Sequence, residues 1–570
     1  MAGLATLTHR GPDDNNLIEL GNTLLGHCRL SIIDLSGGKQ PMQDATGNLT
    51  ITFGGEIYNY RELRAELEKK GSSFRTHSDT EVILEAYRTW GYGCVTKFDG
   101  MFAFGIWDNK REELFLARDR FGEKPLYYAR VGEEIIFASE IKAILATGLV
   151  TSKLDMVSLD NYLALSYVPP WRSIYEGILP LPPAHYAVVK NGIMTKTQYW
   201  KLRRKSVPLS FEEAADAVRE MMQKSVKSRL VADVEVGTFL SGGIDSSIVT
   251  ALAQQATAPK KIRTFSAGFE DFINELPYAK EIAERYGTEH TAMDLRVDLK
   301  QAFTDVTRYF DEPFADSSNV PTHLLSEFTR TAVTVALSGD GGDELFYGYG
   351  HYRSYWRLSL RHRITESIRA RFSDHPAYLI KFFRPHERKE LWRDPSPIEN
   401  SWAPYLDLQE AETRLQKMQL VDLQLTLPGD ILPKVDRASM MHSLEVRAPF
   451  LYHELVELAF NLPDEYKTNR DHGKLVLARA FKDYIPPEFF TRKKQGFGAP
   501  IQHWLRKKEM LPLLDTITEP SARLAVLMRP EYIRTIAEKF KAGDNTQARK
   551  VWSLFSLEMW LRTHPEIVLK

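Results

Sequence analysis

The chain has 570 residues, a formal net charge of −1, 43% hydrophobic and 26% charged residues, which is a globular balance and enough chain for two or more domains. Near-neutrality gives no electrostatic reason to expect nucleic acid or an anionic membrane as partner, and no apolar run is long enough to span a bilayer. Two cysteines, Cys28 and Cys94, exclude a disulfide scaffold and suit a reducing, cytoplasmic setting. The start of the chain lacks the charged region and apolar core of a signal peptide. In chain order, short β-type runs appear at 49–53, 101–107, 114–117 and 135–138. Helical periodicity covers 60–70 and 80–90. Residues 1–200 therefore read as an α+β domain, and the basic stretch from Lys201 to Pro208 reads as part of a linker, 201–210. Cys28, in a strand-like run, reads as core.

From 211 onward the pattern changes to alternating helix and strand, which argues for a parallel sheet flanked by helices in a second domain, 211–570. A helix is expected over 211–229, and strands near 234–240, 262–266 and 333–337. The first of these strands runs into Ser241-Gly242-Gly243-Ile244-Asp245-Ser246-Ser247, followed by a helix. A strand, a glycine turn and a helix N-terminus form an anion cradle. The hydroxyls can donate to phosphate oxygens, and Asp245 can hold a hard cation such as Mg²⁺. No lysine follows the glycines, so this is not the G-x-x-x-x-G-K-S/T loop; the pattern S-G-G-x-D-S is that of ATP pyrophosphatases. A second acidic turn, Ser338-Gly339-Asp340-Gly341-Gly342-Asp343-Glu344, ends another strand, and Asp245 with Asp343 is the natural Mg²⁺ pair. From about Gly348 the chain reads as largely helical, and the arginines from Arg353 to Arg371 as a solvated helix face.

These motifs, with many others in order, resemble the glutamine-dependent asparagine synthetase family. In the N-terminal part the blocks are His9-Arg10-Gly11-Pro12-Asp13, Arg29-Leu30-Ser31, Gly55-Glu56-Ile57-Tyr58-Asn59 and Ser78-Asp79-Thr80-Glu81. In the C-terminal part they are Asp311-Glu312-Pro313, Val435-Asp436-Arg437, Glu445-Val446-Arg447, Gly473-Lys474 and Arg492-Lys493-Lys494. The resemblance implies an N-terminal-nucleophile αββα sandwich, a class II glutaminase, ahead of an ATP-pyrophosphatase domain with a helical C-terminal part. It also implies an internal tunnel carrying ammonia between the two. By position, Leu240, Ser241, Gly242, Gly243, Asp245, Ser246, Ser338 and Gly339 would contact ATP. Asp245 and Asp343 would hold Mg²⁺. Lys474 and Arg437 would stabilise charge on the phosphates and the tetrahedral intermediate, and Asp340 would handle the incoming amine. Arg447 is expected either to anchor substrate or pyrophosphate or to pair with Glu445. Arg29, Gly55, Glu56 and Asp79 match the glutamine pocket.

The chain also departs from the family. A class II glutaminase uses an N-terminal cysteine whose free amine acts as base, whereas this sequence begins Met1-Ala2-Gly3-Leu4, as though the first strand and nucleophile loop were absent. Gly54 stands where the family has an oxyanion-donating Asn, a loss of roughly 10²–10³-fold in rate. Tyr452 and Ala478 replace a usual Asp and Arg. The expected activity is ATP-dependent amide synthesis with a vestigial, inactive glutaminase. Aspartate is the default acid and ammonia or another amine the nitrogen donor. The alternatives are a start placed too late in an otherwise complete enzyme, and amidation of another acid in polysaccharide or natural-product synthesis. A β-lactam-synthetase-like closure, disfavoured by Asp340, and a non-catalytic ATP-binding subunit are also open. No nucleic-acid or membrane partner is expected, and a homodimer is compatible.

Overall fold

The structure is a computed structural model, and it describes residues 1–268, 275–294, 298–357, 382–394, 405–492, 501–508 and 510–569. The N-terminal part is built on a six-stranded antiparallel sheet. Its order is Ile193–Gln198, His185–Lys190, Glu113–Arg118, Gly100–Asp108, Leu49–Ile57 and Met42–Gln43. Helices Tyr60–Lys69 and Asp79–Trp90 cover one face, and Ser78 caps the second helix by accepting from the Thr80 N–H. Between sheet and helices lie Ile51, Phe53, Ile83, Phe102, Phe104 and Phe115. The opposite layer consists of two small sheets, the hairpin Asp14–Leu20/Thr23–Arg29 and a three-stranded sheet centred on Tyr127–Val131. Short helices Ala2–Ala5 and Ile141–Leu145 complete it. This is the expected αββα sandwich, with its second half reduced to short pieces.

Residues 201–210 contain no helix or strand. They are tied down by Lys201–Asp407, Arg203–Glu410 and Lys205–Glu457 ion pairs. Helix Phe211–Arg229 then starts on a capping box, Ser210 with Glu213, which satisfies free N–H groups at its N-terminus.

The C-terminal part holds a five-stranded parallel sheet in the order Glu289–Asp294, Arg263–Gly268, Val236–Phe239, Val335–Leu337, Glu445–Arg447. The first two strands lie on one side of Val236–Phe239 and the last two on the other. The order therefore reverses between Val236–Phe239 and Val335–Leu337, and the crevice above such a switch point is where open α/β sheets bind ligands. The expected strand near 234 starts at Val236 because the chain bends at Asp233 and Val234 and is partly exposed up to Glu235. Helix Gly350–Arg357 covers the first part of the arginine-rich segment; Arg371 and most of that stretch lie outside the described residues. So do Lys493 and Lys494.

Candidate active site

The two glycine turns emerge side by side at the switch point and pack on each other. Gly242 has φ of +72°, and a Cβ there would fall 2.7 Å from the Ala279 backbone nitrogen. A Cβ on Gly339 would lie 2.9 Å from both the Asp245 Cβ and the Ser246 nitrogen, and one on Gly342 would lie 2.6 Å from Asp245 Oδ1. The glycines are thus what lets the second turn approach the first. Helix Ile244–Thr257 begins at Gly243 with Asp245 in its first turn. Inside the first loop, Ser241 Oγ and Ser246 Oγ are 3.0 Å apart, and the Ser246 hydroxyl donates to the Gly243 carbonyl at 3.2 Å. Leu240, fully buried, donates its N–H to the Phe265 carbonyl at 2.8 Å, and Ser338 donates its N–H to the Arg447 carbonyl at 2.9 Å. The loops therefore hang directly from strand ends.

Lys474 joins them. Its ammonium donates to both oxygens of Asp245, at 2.7 Å to Oδ1, and lies 2.7 Å from Asp343 Oδ1. The residue precedes helix Leu475–Ala480 in a left-handed conformation, φ +58°, and its N–H donates to the Phe346 carbonyl at 2.9 Å. It is 3% exposed, and despite burial the two carboxylates hold its pKa above the usual lysine range. This charge is permanent at neutral pH. The two carboxylates converge on one point beside a phosphate-type loop. A hard oxygen set of this kind, completed by phosphate oxygens, fits Mg²⁺.

Asp340 lies in the same turn as Asp343, half-buried. Burial raises its pKa, opposed by the Lys434 ammonium. Lys434, itself buried, is 3.8 Å from Asp316 and also feels Asp430. Lys434 directly precedes the Val435-Asp436-Arg437 block but carries no sequence signal of its own, and Arg492 is marked in the sequence only as the start of the Arg492-Lys493-Lys494 block. The Arg492 guanidinium donates to the Gly242 carbonyl and lies over the Tyr278 ring, 4.1 Å from its centre, so it bears on the phosphate loop itself.

Two expected site residues sit elsewhere. Arg437 faces the N-terminal part: its guanidinium donates to Tyr127 Oη at 2.8 Å and Glu312 Oε2 at 2.6 Å. Its ion-pair partners, rather than the two glycine turns, hold it. Arg447 is fully buried. It donates to Glu445 at 2.9 Å and to the carbonyls of Arg229 and Val231 at 2.7 and 2.8 Å, and lies 3.2 Å from Glu56. These partners, rather than the glycine turns, hold its guanidinium. Its Glu445 pairing is real and extends across the domain boundary. Tyr452, one of the departures from the family pattern, directs its hydroxyl to Lys224 and Glu454.

The expected glutamine-pocket residues do come together. Arg29, Gly55, Glu56 and Asp79 line one cavity of about 990 Å³ that reaches Lys124, Met440 and Glu445. Arg29 donates to the carbonyls of Ile33, Asp34 and Leu35 at 2.8–3.2 Å, which fixes the loop after the hairpin. Asp79 accepts from the Ile57 N–H at 3.0 Å, and burial pushes its pKa up to about 6. Burial likewise raises Glu56 against the pull of Arg447. Gly55 has φ +132°, and a Cβ would lie 2.0 Å from the Met101 carbonyl oxygen; only glycine fits. Gly54 differs: a Cβ there meets nothing within 4 Å. Cys28 is half-buried on the cavity wall rather than core, with its thiol donating to the Leu4 carbonyl at 3.3 Å and its pKa raised by burial. A small cavity of about 20 Å³ is lined by Lys124, Asp436, Ser439 and Asp340. Lys124 is thus common to both spaces.

Comparison with known proteins follows this division. Residues 217–562 match the asparagine synthase family and residues 1–200 match the glutamine amidotransferase domain. Asparagine synthetase [glutamine-hydrolyzing] 1 of Bacillus subtilis (strain 168) is 33% identical, covering 97% of this chain and 92% of that protein. A putative asparagine synthetase [glutamine-hydrolyzing] of Mycobacterium bovis is 32% identical over the same shares. Amidase chry2 of Gibberella zeae is 27% identical over 88% of this chain and 85% of its own. Among solved structures, glutamine phosphoribosylpyrophosphate amidotransferase from B. subtilis covers 59% of this chain and 78% of its own at 16% identity. Its TM-score of 0.27 is too low to carry an argument.

Proposed function

The chain belongs to the asparagine synthase family of ATP-dependent carbon–nitrogen ligases, and from that premise we propose that it joins a carboxylic acid, aspartate by default, to ammonia through an acyl-adenylate. The observation that carries this reading is the meeting of Asp245, Asp343 and Lys474 at the switch-point loops. The Ser241–Ser247 turn and its helix N-terminus hold the triphosphate by N–H and hydroxyl donation. Asp245 and Asp343 would hold Mg²⁺, which would neutralise phosphate charge. The acid's oxygen attacks the α-phosphorus, and the bond to pyrophosphate breaks. Lys474 supplies fixed positive charge to the phosphate oxygens, without reorganisation at the moment of reaction. The ammonia nitrogen then attacks the acyl carbon, Asp340 accepts a proton from it, and the bond to AMP breaks. A carboxylate whose pKa is raised by burial is the better base for that step.

In this reading residues 1–200 bind glutamine or serve as scaffold, residues 211–570 do the chemistry, and the chain 1–570 does not hydrolyse glutamine. Support comes from Gly54, which offers no side-chain donor at the oxyanion position. The raised thiol pKa values of Cys28 and Cys94 disfavour the thiolate that attack requires. The test is pyrophosphate release with ATP, Mg²⁺ and candidate acids, with ammonia and with glutamine as nitrogen source. Ammonia should support turnover and glutamine should not. Asp245→Ala should lower turnover by roughly 10²–10³-fold or more in a protein that still unfolds cooperatively, at a lower Tm because Lys474 loses one of its two buried partners. Glutamine-dependent turnover would overturn the glutaminase claim, and a fully active Asp245→Ala would overturn the site. A second reading, an acid other than aspartate in natural-product synthesis, is favoured by the amidase-named relatives and by Ala478 one turn after Lys474. The same panel of acids decides it.

A further inference from the structure

Away from both cavities, two imidazoles and a carboxylate converge. His323 and Glu327 lie one turn apart on helix Asn319–Arg330, on the same face. His442 follows the helix Leu432–Met440, which packs along Asn319–Arg330. One ligand atom from each of the three lies within 4.8 Å of the others. His323 Nδ1 and His442 Nε2 face each other at 2.8 Å, and the rings are stacked at 4.8 Å between centres. We infer that His323, His442 and Glu327 form a divalent transition-metal site, of the zinc class, that clips the helix Asn319–Arg330 to the segment between Met440 and Glu445.

The donor set argues for that class. Two imidazoles and a carboxylate suit Zn²⁺ and its neighbours, whereas Mg²⁺ takes oxygen ligands and would stay with the carboxylates of the ATP site. On binding, the ring that donates in this contact would take the tautomer with its proton on the other nitrogen, leaving both facing nitrogens free to ligate. For tetrahedral bonds of 2.0–2.1 Å the nitrogens must separate to about 3.3 Å, a shift of about half an ångström that two side-chain rotations provide. Glu327 is exposed and free to swing in. Asp305, on helix Leu299–Tyr309, is close enough to act electrostatically on both rings. With Glu327 it is the negative charge that faces them, and a water would complete the coordination. The clip matters because the segment it fixes is bracketed by the two elements that hold Asp436, Arg437 and Arg447 against the N-terminal part. Ser443, within it, donates to the His9 carbonyl at 2.7 Å.

The full chain, stripped with chelator and kept in millimolar Mg²⁺, would be titrated with Co²⁺ as a spectroscopic probe and with Zn²⁺ as stabiliser. One equivalent of Co²⁺ should give visible ligand-field bands, Zn²⁺ should displace them, and Zn²⁺ should raise the Tm. His323→Gln and His442→Gln should lose both the bands and the Zn²⁺-dependent rise in Tm. A wild type without bands, or His variants with bands of full intensity, would overturn the site. Should either imidazole variant fail to fold, Glu327→Gln decides, since its side chain lies in solvent. Unchanged Co²⁺ affinity and spectrum in that variant would overturn the proposal.

Discussion

At the scale of single residues, the site is set by what cannot be larger than glycine. A Cβ on Gly348 would fall 1.9 Å from Asp343 Oδ1 and 2.3 Å from Lys474 Cε. Gly348→Ala must therefore push apart the lysine and one of its carboxylates. It should lose most pyrophosphate-releasing activity, while denaturant melts record a destabilisation of only about 1–3 kcal/mol, the usual cost of overpacking. Normal activity would show that the contact yields elsewhere. Glu344, beside Asp343, makes a pH argument. Buried and near that negative charge, it accepts from the Tyr349 hydroxyl and has its pKa pushed up to about 7. The folded protein keeps this proton at a pH where the unfolded chain has released it, so the stability contributed is full below about pH 4.5 and is lost as pH rises to 7. Glu344→Gln, which cannot ionise, should gain on wild type over that interval by on the order of 3 kcal/mol. Using the difference between the two proteins removes the opposing trend from half-buried histidines such as His27 and His453, whose pKa values are lowered by desolvation. The acids of the candidate site were legible because a phosphate loop needs Gly, Ser and Asp at fixed spacing. Lys434 and Arg492 were not, because their partners, Asp340 and the Gly242 carbonyl, come from distant segments.

At the scale of elements, the strand Glu445–Arg447 is the edge of the parallel sheet and also the seam between the two halves. Its backbone pairs with Val335–Leu337, and its two charged side chains, two residues apart, leave the same face. On that face Arg447 ties Glu445, Glu56 and the carbonyls at the end of helix Phe211–Arg229 into one buried network. Period-two alternation was readable in Glu445-Val446-Arg447 and does favour the Glu445 pairing. What it could not supply was Glu56, nearly four hundred residues away in sequence. Arg447→Ala strips the counter-charge from two buried carboxylates and should destabilise by about 3–5 kcal/mol, as removal of one member of a buried ion pair does. The KM for ATP should move little in the residual folded enzyme. A selective rise in that KM at unchanged stability would return Arg447 to the nucleotide site. The same network gives a physical contact between the large N-terminal cavity, through Glu56, and the acidic turn, since the Arg447 carbonyl accepts from the Ser338 N–H.

At the scale of the molecule, the largest apolar core belongs to neither half alone. It combines Leu159, Tyr162, Leu163 and Tyr175 from the N-terminal part with Phe303, Trp552, Phe555 and Trp560 from the C-terminal part. Tyr162 donates to the Ser553 carbonyl at 2.8 Å, and Asp160, fully buried, is bound by Arg388 Nε and Trp392 Nε1, both at 3.0 Å. Arg10 adds a two-pronged pair to Asp436 at 2.8 and 3.0 Å. None of this could be seen in local periodicity, which marks a buried helix face but not the partner that buries it, so the sequence read as two domains and a linker. An interface of this kind joins stabilities, because separating the halves would expose aromatic surface and a buried aspartate together. Calorimetry of the full chain should therefore show one cooperative transition with calorimetric and van't Hoff enthalpies in agreement. Residues 211–570 expressed alone should aggregate or bind a hydrophobic dye. Two resolved transitions, or a soluble and active C-terminal fragment, would mean that the shared core is packing between independent domains. In that case the Arg447 network would be expected to matter for stability at the seam and not for the fold of either half.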